Sequence, residues 1–173
     1  IGLACAKEFA AEGCNLHLVS RTKEDLENAK KEVEAEHGVQ IMIHDFDLSD
    51  SKNVDQLVKN CPKIDILVNN ASTFYPTPID EISNEHWMKL VGSNLKGPLF
   101  LISGLKDKLK ESNGSIINIT DTNLSKGVAN YSIYSAAKAG LESITKGLAR
   151  ELAPEITVNA IAPGAMLEPP DVE

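Results

Sequence analysis

Apolar residues recur along this chain in two rhythms, short near-continuous runs and longer stretches with an apolar position every third or fourth residue. The chain opens on a helical stretch, with Leu3, Ala6, Phe9 and Ala10 on one face and Gly13 as its stop. Asn15 to Ser20 reads as a strand. Lys23 to His37 follows as a helix, with Thr22 as its cap, Asp25 three residues on, and Leu26, Ala29 and Val33 facing inward. Gly38 ends it. Val39 to His44 is a second strand, and Ser51 to Asn60 a short helix closed by Pro62. Ile64 to Val68 is almost wholly apolar, as a central strand buried on both faces would be.

The longest helical pattern runs from Asn84 to Lys110, with Trp87, Leu90, Val91, Asn94, Leu95, Leu99 and Ile102 at helical spacing and Pro98 placed to kink it. A Gly-Ser-Ile-Ile-Asn-Ile strand ends at Ile119. A helix from Tyr131 to Leu152 aligns Tyr134, Lys138, Leu141, Thr145 and Leu148, and Ile156 to Ile161 is the last strand. Strands alternating with helices predict an α/β fold, a doubly wound parallel sheet in three layers. With no repeat, low-complexity tract or linker, residues 1–173 read as a single domain.

Composition narrows the class. A chain of 173 residues, 42% hydrophobic and 24% charged, is that of an ordinary globular domain. Its net charge of −8, with Lys and Arg scattered, argues against a nucleic-acid surface. No apolar run approaches a membrane span and no signal sequence is visible. Cys5, Cys14 and Cys61 lack paired spacing and are expected to be reduced, in a cytoplasmic protein. The four histidines show no ligand spacing, so no metal site is expected, and no G-x-S-x-G motif suggests a hydrolase.

The chemistry centres on Tyr134 and Lys138. Four residues apart on a helix they share one face, and a nearby ammonium is expected to lower the phenol's pKa towards the range of proton transfer. The strand before this helix and the Ile-Thr-Val-Asn-Ala-Ile-Ala-Pro-Gly segment after it resemble the short-chain dehydrogenase/reductase family. That resemblance implies a Rossmann-type nucleotide-binding domain. It also implies that both ends are cut. Ile1-Gly2 matches only the close of the family's T-G-x-x-x-G-I-G turn, so the first strand, which would lie at the sheet centre, is expected to be missing, along with the substrate loop and last strand beyond Pro163-Gly164.

The resemblance assigns a cofactor site to Gly2, Ser20, Arg21, Thr22, Asp47, Leu48, Asn70, Ala71, Ser72, Tyr134, Lys138, Pro163 and Gly164. Ser20-Arg21-Thr22 stands where a carboxylate would select NAD, and a guanidinium suits the 2′-phosphate of NADPH. Asp47-Leu48 corresponds to the adenine contact, Asn69-Asn70-Ala71-Ser72 to the family's N-N-A-G motif with Ser for Gly, and Pro163-Gly164 to the turn beside the nicotinamide.

Of the family's four catalytic positions, Asn94, Tyr134 and Lys138 match. Thirteen residues before Tyr134, the usual spacing of the catalytic Ser, stands Asp121. A carboxylate would repel the oxyanion formed in ketone reduction but suits a substrate that presents N–H groups, or a proton-donating role. Asn69 to Pro78, Gly92-Ser93-Asn94 and Asn130 to Tyr134 look like the pteridine reductases. In that subgroup Phe74 would stack on a pterin opposite the nicotinamide, Ser72 would bind cofactor and substrate, and Asp121, Tyr134 and Lys138 would deliver the proton. The expected partner is thus a small-molecule pterin, dihydrofolate included, and by family resemblance the complete protein is expected to be a homotetramer built on the two long helices. A simple carbonyl reductase, for instance of 3-oxoacyl thioesters, and a truncated non-catalytic domain remain as alternatives.

Overall fold

The computed structural model describes residues 1–164; Ala165 to Glu173 are left out of the account below. Helix α1 (Gly2–Ala11) leads to β1 (Leu16–Ser20), α2 (Lys23–His37), β2 (Ile41–Asp45), α3 (Ser51–Asn60) and β3 (Ile66–Asn69). Then come α4 (Asn84–Val91), α5 (Gly97–Glu111), β4 (Ser115–Ile119), α6 (Ser132–Glu151) and β5 (Thr157–Ile161). All strand pairs are parallel. Leu16 lies opposite Ile41, Ile66 opposite Ser115, and Ser115 opposite Thr157.

Side-chain alternation puts helices on both faces. Leu16, Leu18, Ile41 and Ile43 pack with Ala10 of α1 and Val33 of α2. Val19, Phe46 and the β4–β5 residues Ile116 and Val158 instead join Leu57 of α3, Leu101, Leu105 and Leu109 of α5, and Leu148 of α6. Neighbouring residues of one strand therefore serve opposite cores, which is the three-layer, doubly wound arrangement.

The strands form two sheets. β1 pairs only with β2, while β3, β4 and β5 form a second set. Between the facing edges of β1 and β3 lies a cavity of about 1160 Å³, lined by every residue of both strands. This agrees with the vacant central position implied by the family resemblance, and it corrects the reading of β3. Ile66 is 38% exposed, and Leu67 and Val68 are only half-buried, because this strand is an edge beside a void. Leu3 is exposed for the same reason, lining that cavity on α1.

The predicted helix from Asn84 to Lys110 is interrupted before Pro98, the residue expected to kink it. Gly92–Lys96 forms a π-helical turn between α4 and α5, so the irregularity belongs to Asn94 and its neighbours. Pro98 sits buried at the start of α5, directly after the widened turn, so the N–H it lacks falls where that turn already departs from the regular ladder. Close approach explains two glycines here: a Cβ on Gly97 would lie 2.6 Å from the Leu48 carbonyl oxygen, and one on Gly92 would lie 2.8 Å from Ser49. Helix α2 keeps its predicted ends, although Thr22 makes no side-chain cap bond; its N–H instead donates to Ser20 Oγ at 3.4 Å. Among the described residues no helix is long and apolar enough to cross a membrane.

Candidate active site

Tyr134 and Lys138 lie on the buried stripe of α6, held there with Ile133, Ala137, Leu141 and Thr145. The ammonium does not bond the phenol. Lys138 Nζ donates to the Ile119 carbonyl at the end of β4, 2.8 Å away, and lies 6.0 Å from the Tyr134 ring centroid. Burial pushes the Lys138 pKa down to about 8, against the opposing pull of Asp121. Tyr134 moves opposite to the sequence expectation. Burial raises its pKa first, and the hydrogen bond to Asp121 and that group's charge raise it further.

Asp121 therefore is the phenol's direct partner. Tyr134 Oη donates to Asp121 Oδ2 at 2.9 Å, and the N–H of Asn123 donates to Oδ1 at 2.7 Å. The second bond caps the short 3-10 turn Thr122–Ser125, which fixes the carboxylate at the mouth of β4.

Asn94 is fully buried, and its neighbours account for its amide. Nδ2 donates to Thr73 O at 2.8 Å and Leu90 O at 2.9 Å, while Oδ1 accepts from Ser72 Oγ at 2.7 Å. A π turn displaces carbonyls from the helical ladder, and this side chain satisfies one of them. It also ties the Ser72-Thr73 backbone to the helix, so Asn94 is a positioning element for the loop that carries Phe74.

That loop is pinned at its far end too. Thr77 donates through its N–H and Oγ1 to the carbonyl of Asn130, a residue in the left-handed region at φ 64°. The result brings Phe74 over Tyr131, stacked at 4.5 Å between centroids with 13° between planes. Phe74 also meets Tyr134 edge-on at 4.8 Å. Phe74, Asp121, Asn123, Leu124, Val128, Tyr131, Tyr134 and Ser135 line a cleft of about 80 Å³. Tyr131 was not singled out as a site residue by the sequence; it stands just outside α6, as its N-cap, with a non-helical backbone.

The remaining predicted residues gather at the carboxyl ends of β1, β2 and β3. Gly2, Ser20, Arg21, Asp47, Leu48, Asn70, Ala71 and Ser72 all line the large cavity. A Cβ on Gly2 would come within 2.7 Å of Asn70 Nδ2, so α1 and the β3 loop meet closely. Arg21 is exposed, and among the described residues it makes no side-chain bond or ion pair. Asp47 is held below its usual pKa despite partial burial, by hydrogen bonds from Ser49 and by the charges of Arg21 and Lys89. Thr22, Tyr134, Lys138, Pro163 and Gly164 do not line this cavity, and Pro163 accepts a bond from Thr122 Oγ1 at 3.2 Å.

A buried polar relay also went unread. Asn69 Nδ2 donates to Asn118 Oδ1, and Asn118 Nδ2 donates to Thr145 Oγ1, each at 2.8 Å, linking β3, β4 and α6.

The family model for short chain dehydrogenases matches residues 1–170. This chain belongs to the short-chain dehydrogenase/reductase family. It is 34% identical over 174 residues to galactitol 2-dehydrogenase of Agrobacterium fabrum, a match that covers 96% of the chain and 66% of that enzyme. Among solved structures it superposes on L-sorbose reductase of Gluconobacter frateurii, complexed with NADPH and L-sorbose, with a TM-score of 0.91 at 31% identity, over 96% of this chain and 66% of that one. An NAD+-bound xylitol dehydrogenase matches with a TM-score of 0.84 at 30% identity, over 94% of this chain and 65% of that one. Relatives thus bind either nicotinamide cofactor, and the three names concern sugars and polyols.

Proposed function

We propose that the domain serves an NADPH-dependent reductase of pterins. The observation that carries this reading is the bond from Tyr134 to the Asp121 carboxylate, beside the stacked rings of Phe74 and Tyr131. A carboxylate accepts hydrogen bonds and donates none when ionised, which suits the amino and ring N–H groups of a flat heteroaromatic. Aromatic walls suit its faces. Opening the Phe74–Tyr131 stack would admit such a ring, since the closed cleft of about 80 Å³ is too small for one.

The residues at the sheet ends fit a dinucleotide. Arg21 has a guanidinium unpaired among the described residues for a 2′-phosphate, Asp47 is an ionised acceptor for an amino group, and Gly2 keeps backbone approach open beside Asn70. A bound dihydronicotinamide would supply hydride. Tyr134, a phenol protonated across neutral pH, holds the proton that the reduced ring must gain, and burial beside Asp121 raises its pKa further. Asp121 orients that proton, and the buried Lys138 fixes the end of β4 through Ile119. A tetramer through α4, α5 and α6 is supported by Trp87, Met88 and Phe100, exposed apolar residues on the first two of these helices.

A second reading, reduction of a simple carbonyl, draws on the sugar- and polyol-named relatives. Asp121→Ser separates the two. It removes the acceptor a pterin needs and supplies the hydroxyl a developing alkoxide needs. Pterin-dependent NADPH oxidation should fall roughly 10²–10⁴-fold, while carbonyl reduction holds or rises. Unchanged pterin turnover in this variant would favour the carbonyl reading. No NADPH binding by the wild-type chain would favour a non-catalytic domain over both reductase readings.

A further inference from the structure

Among the described residues, three side-chain bonds stitch helix α6 to strand β4 and its mouth. Thr145 Oγ1 accepts from Asn118 Nδ2 at 2.8 Å, Lys138 Nζ donates to Ile119 O at 2.8 Å, and Tyr134 Oη donates to Asp121 Oδ2 at 2.9 Å. As the residue number falls along the helix it rises along the strand, so the two elements run in opposite senses. At about 1.5 Å of rise per residue, the three rungs spread over about 16 Å of α6. Tyr134 and Lys138 belong to the active site, while Thr145 is the far rung, out of reach of a substrate at Asp121.

The rungs differ in stiffness. Lys138 reaches its acceptor on a flexible four-carbon stem, and the Tyr134 ring turns about two torsions, so neither stops the helix from sliding along the sheet. Thr145 has no such slack. Its β-branched side chain is stiff at χ1, and its hydroxyl proton is committed to Leu141 O at 2.7 Å. The oxygen can then meet Asn118 only as an acceptor. That fixes the amide: turned over, it would set Oδ1 against an oxygen with no proton to give, and would lose the bond that Asn69 Nδ2 donates to Oδ1 at 2.8 Å. Asn118, Thr145 and Asn69 are all buried, so a broken bond leaves a stranded polar group.

The chain of bonds ends at the site on every side. Asn118 stands three residues before Asp121 and in register with Asn69. Asn69 leads into the loop that carries Ser72, bonded to Asn94, and Phe74. Thr145 shares the buried stripe of Tyr134. We propose that Thr145, acting through Asn118, is a positioning residue for proton delivery: it sets the axial place of α6 on β4, and with it the approach of the Tyr134 phenol to the Asp121 carboxylate. This rests on the role given above to those two groups in reduction. A displacement of about 1 Å at reacting groups costs up to about 10²-fold in rate, so a small slide of the helix suffices.

The test compares Thr145→Val, which keeps the shape and deletes the hydroxyl, with Thr145→Ser, which keeps the hydroxyl. With a dihydropterin as substrate, the Val variant should lose about 10- to 100-fold in kcat while its KM for NADPH stays within about twofold of wild type. The Ser variant should restore kcat to within about threefold of wild type. A second readout needs no substrate. In the isotopically labelled chain, the NMR signal of Lys138 Cε should titrate near 8 in the wild type and in the Ser variant. In the Val variant it should titrate at least about half a unit higher, because a helix free to slide lets water reach the ammonium. The proposal is overturned if the Val variant keeps wild-type kcat, if Lys138 titrates alike in all three proteins, or if Ser loses as much as Val. Should Thr145→Val not fold, Thr145→Ala is read in the same way. A wild-type chain that oxidises no NADPH with pterins would strike the pterin reading, and the lysine titration alone would then decide this one.

Discussion

In the half of the molecule built on β3, β4, β5 and α6, buried polar groups pass hydrogen bonds inward, from Asn69 to Asn118 to Thr145 and on to Leu141 O. In the half built on β1 and β2, the strand next to the void has only half-buried residues, and its outer backbone groups face a cavity. The same chain chemistry gives a closed lattice in one place and an open ladder in the other. The contrast shows that the proton-handling end of the site is preorganised by its own neighbours, whereas the nucleotide end shares its walls with an incomplete sheet. Chemistry and binding should therefore respond differently to substitution.

Tyr134→Phe should produce the largest loss, abolishing reduction of pterins and carbonyls alike, at least 10³-fold on the scale of a positioned acid. NADPH affinity, governed by the other half, should hardly change; an equal loss of both would break the division. Turnover and equilibrium binding measured on one preparation decide it.

Lys138 gives the next effect, read as stability against pH. Its folded pKa of about 8 lies below the ordinary 10.5, so between these values the unfolded chain binds more protons and stability rises with pH. The gain is on the order of 3 kcal/mol by pH 10.5, and a Lys138→Met variant should lack it. Tyr134 and Cys61, whose pKa values are raised, work in the opposite direction but are common to both proteins. The difference between the two urea-denaturation series from pH 7 to 10.5 therefore isolates the lysine, and parallel curves would show that Lys138 is charged without penalty.

Asn118→Ala should cost about 1–3 kcal/mol, since it strands Asn69 and Thr145 without their partner in a dry interior. Arg21→Ala, in the open half, should shift stability by no more than about 0.5 kcal/mol. It should nonetheless weaken NADPH about 10- to 100-fold and leave NADH nearly unaffected. Equal losses for both cofactors would remove Arg21 from the 2′-phosphate.

These halves also differ in how far the sequence foretold them. Helices α2 and α3 were legible to the residue, because Gly38 and Pro62 mark their ends and their apolar spacing is undisturbed. Tyr134, Lys138 and Asp121 were legible as a group, yet the direction of the phenol's pKa was not. That depends on which neighbour it bonds, and spacing on a helix does not distinguish Lys138 from a carboxylate thirteen residues away. Exposure of Ile66 and Leu3 was illegible for a different reason: both read as core residues, and only the void beside them explains their surface. Tyr131 needed the loop bond from Thr77 to Asn130 before its stacking partner could be named.

The wide turn at Gly92–Lys96 has a consequence for rotational phase. Each residue of an α-helix turns the chain by about 100°. A π turn spends one extra residue on nearly the same rotation as four α-helical residues, so α4 and α5 keep almost the phase of one regular helix. Leu101, Leu105 and Leu109 hold the core on that phase, while the surplus residue pushes Asn94 and its neighbours outward towards Ser72 and Thr73. The turn thus works as an angular buffer: a single-residue deletion there would leave the core stripe in place and would take away only the bulge that ties down the active-site loop.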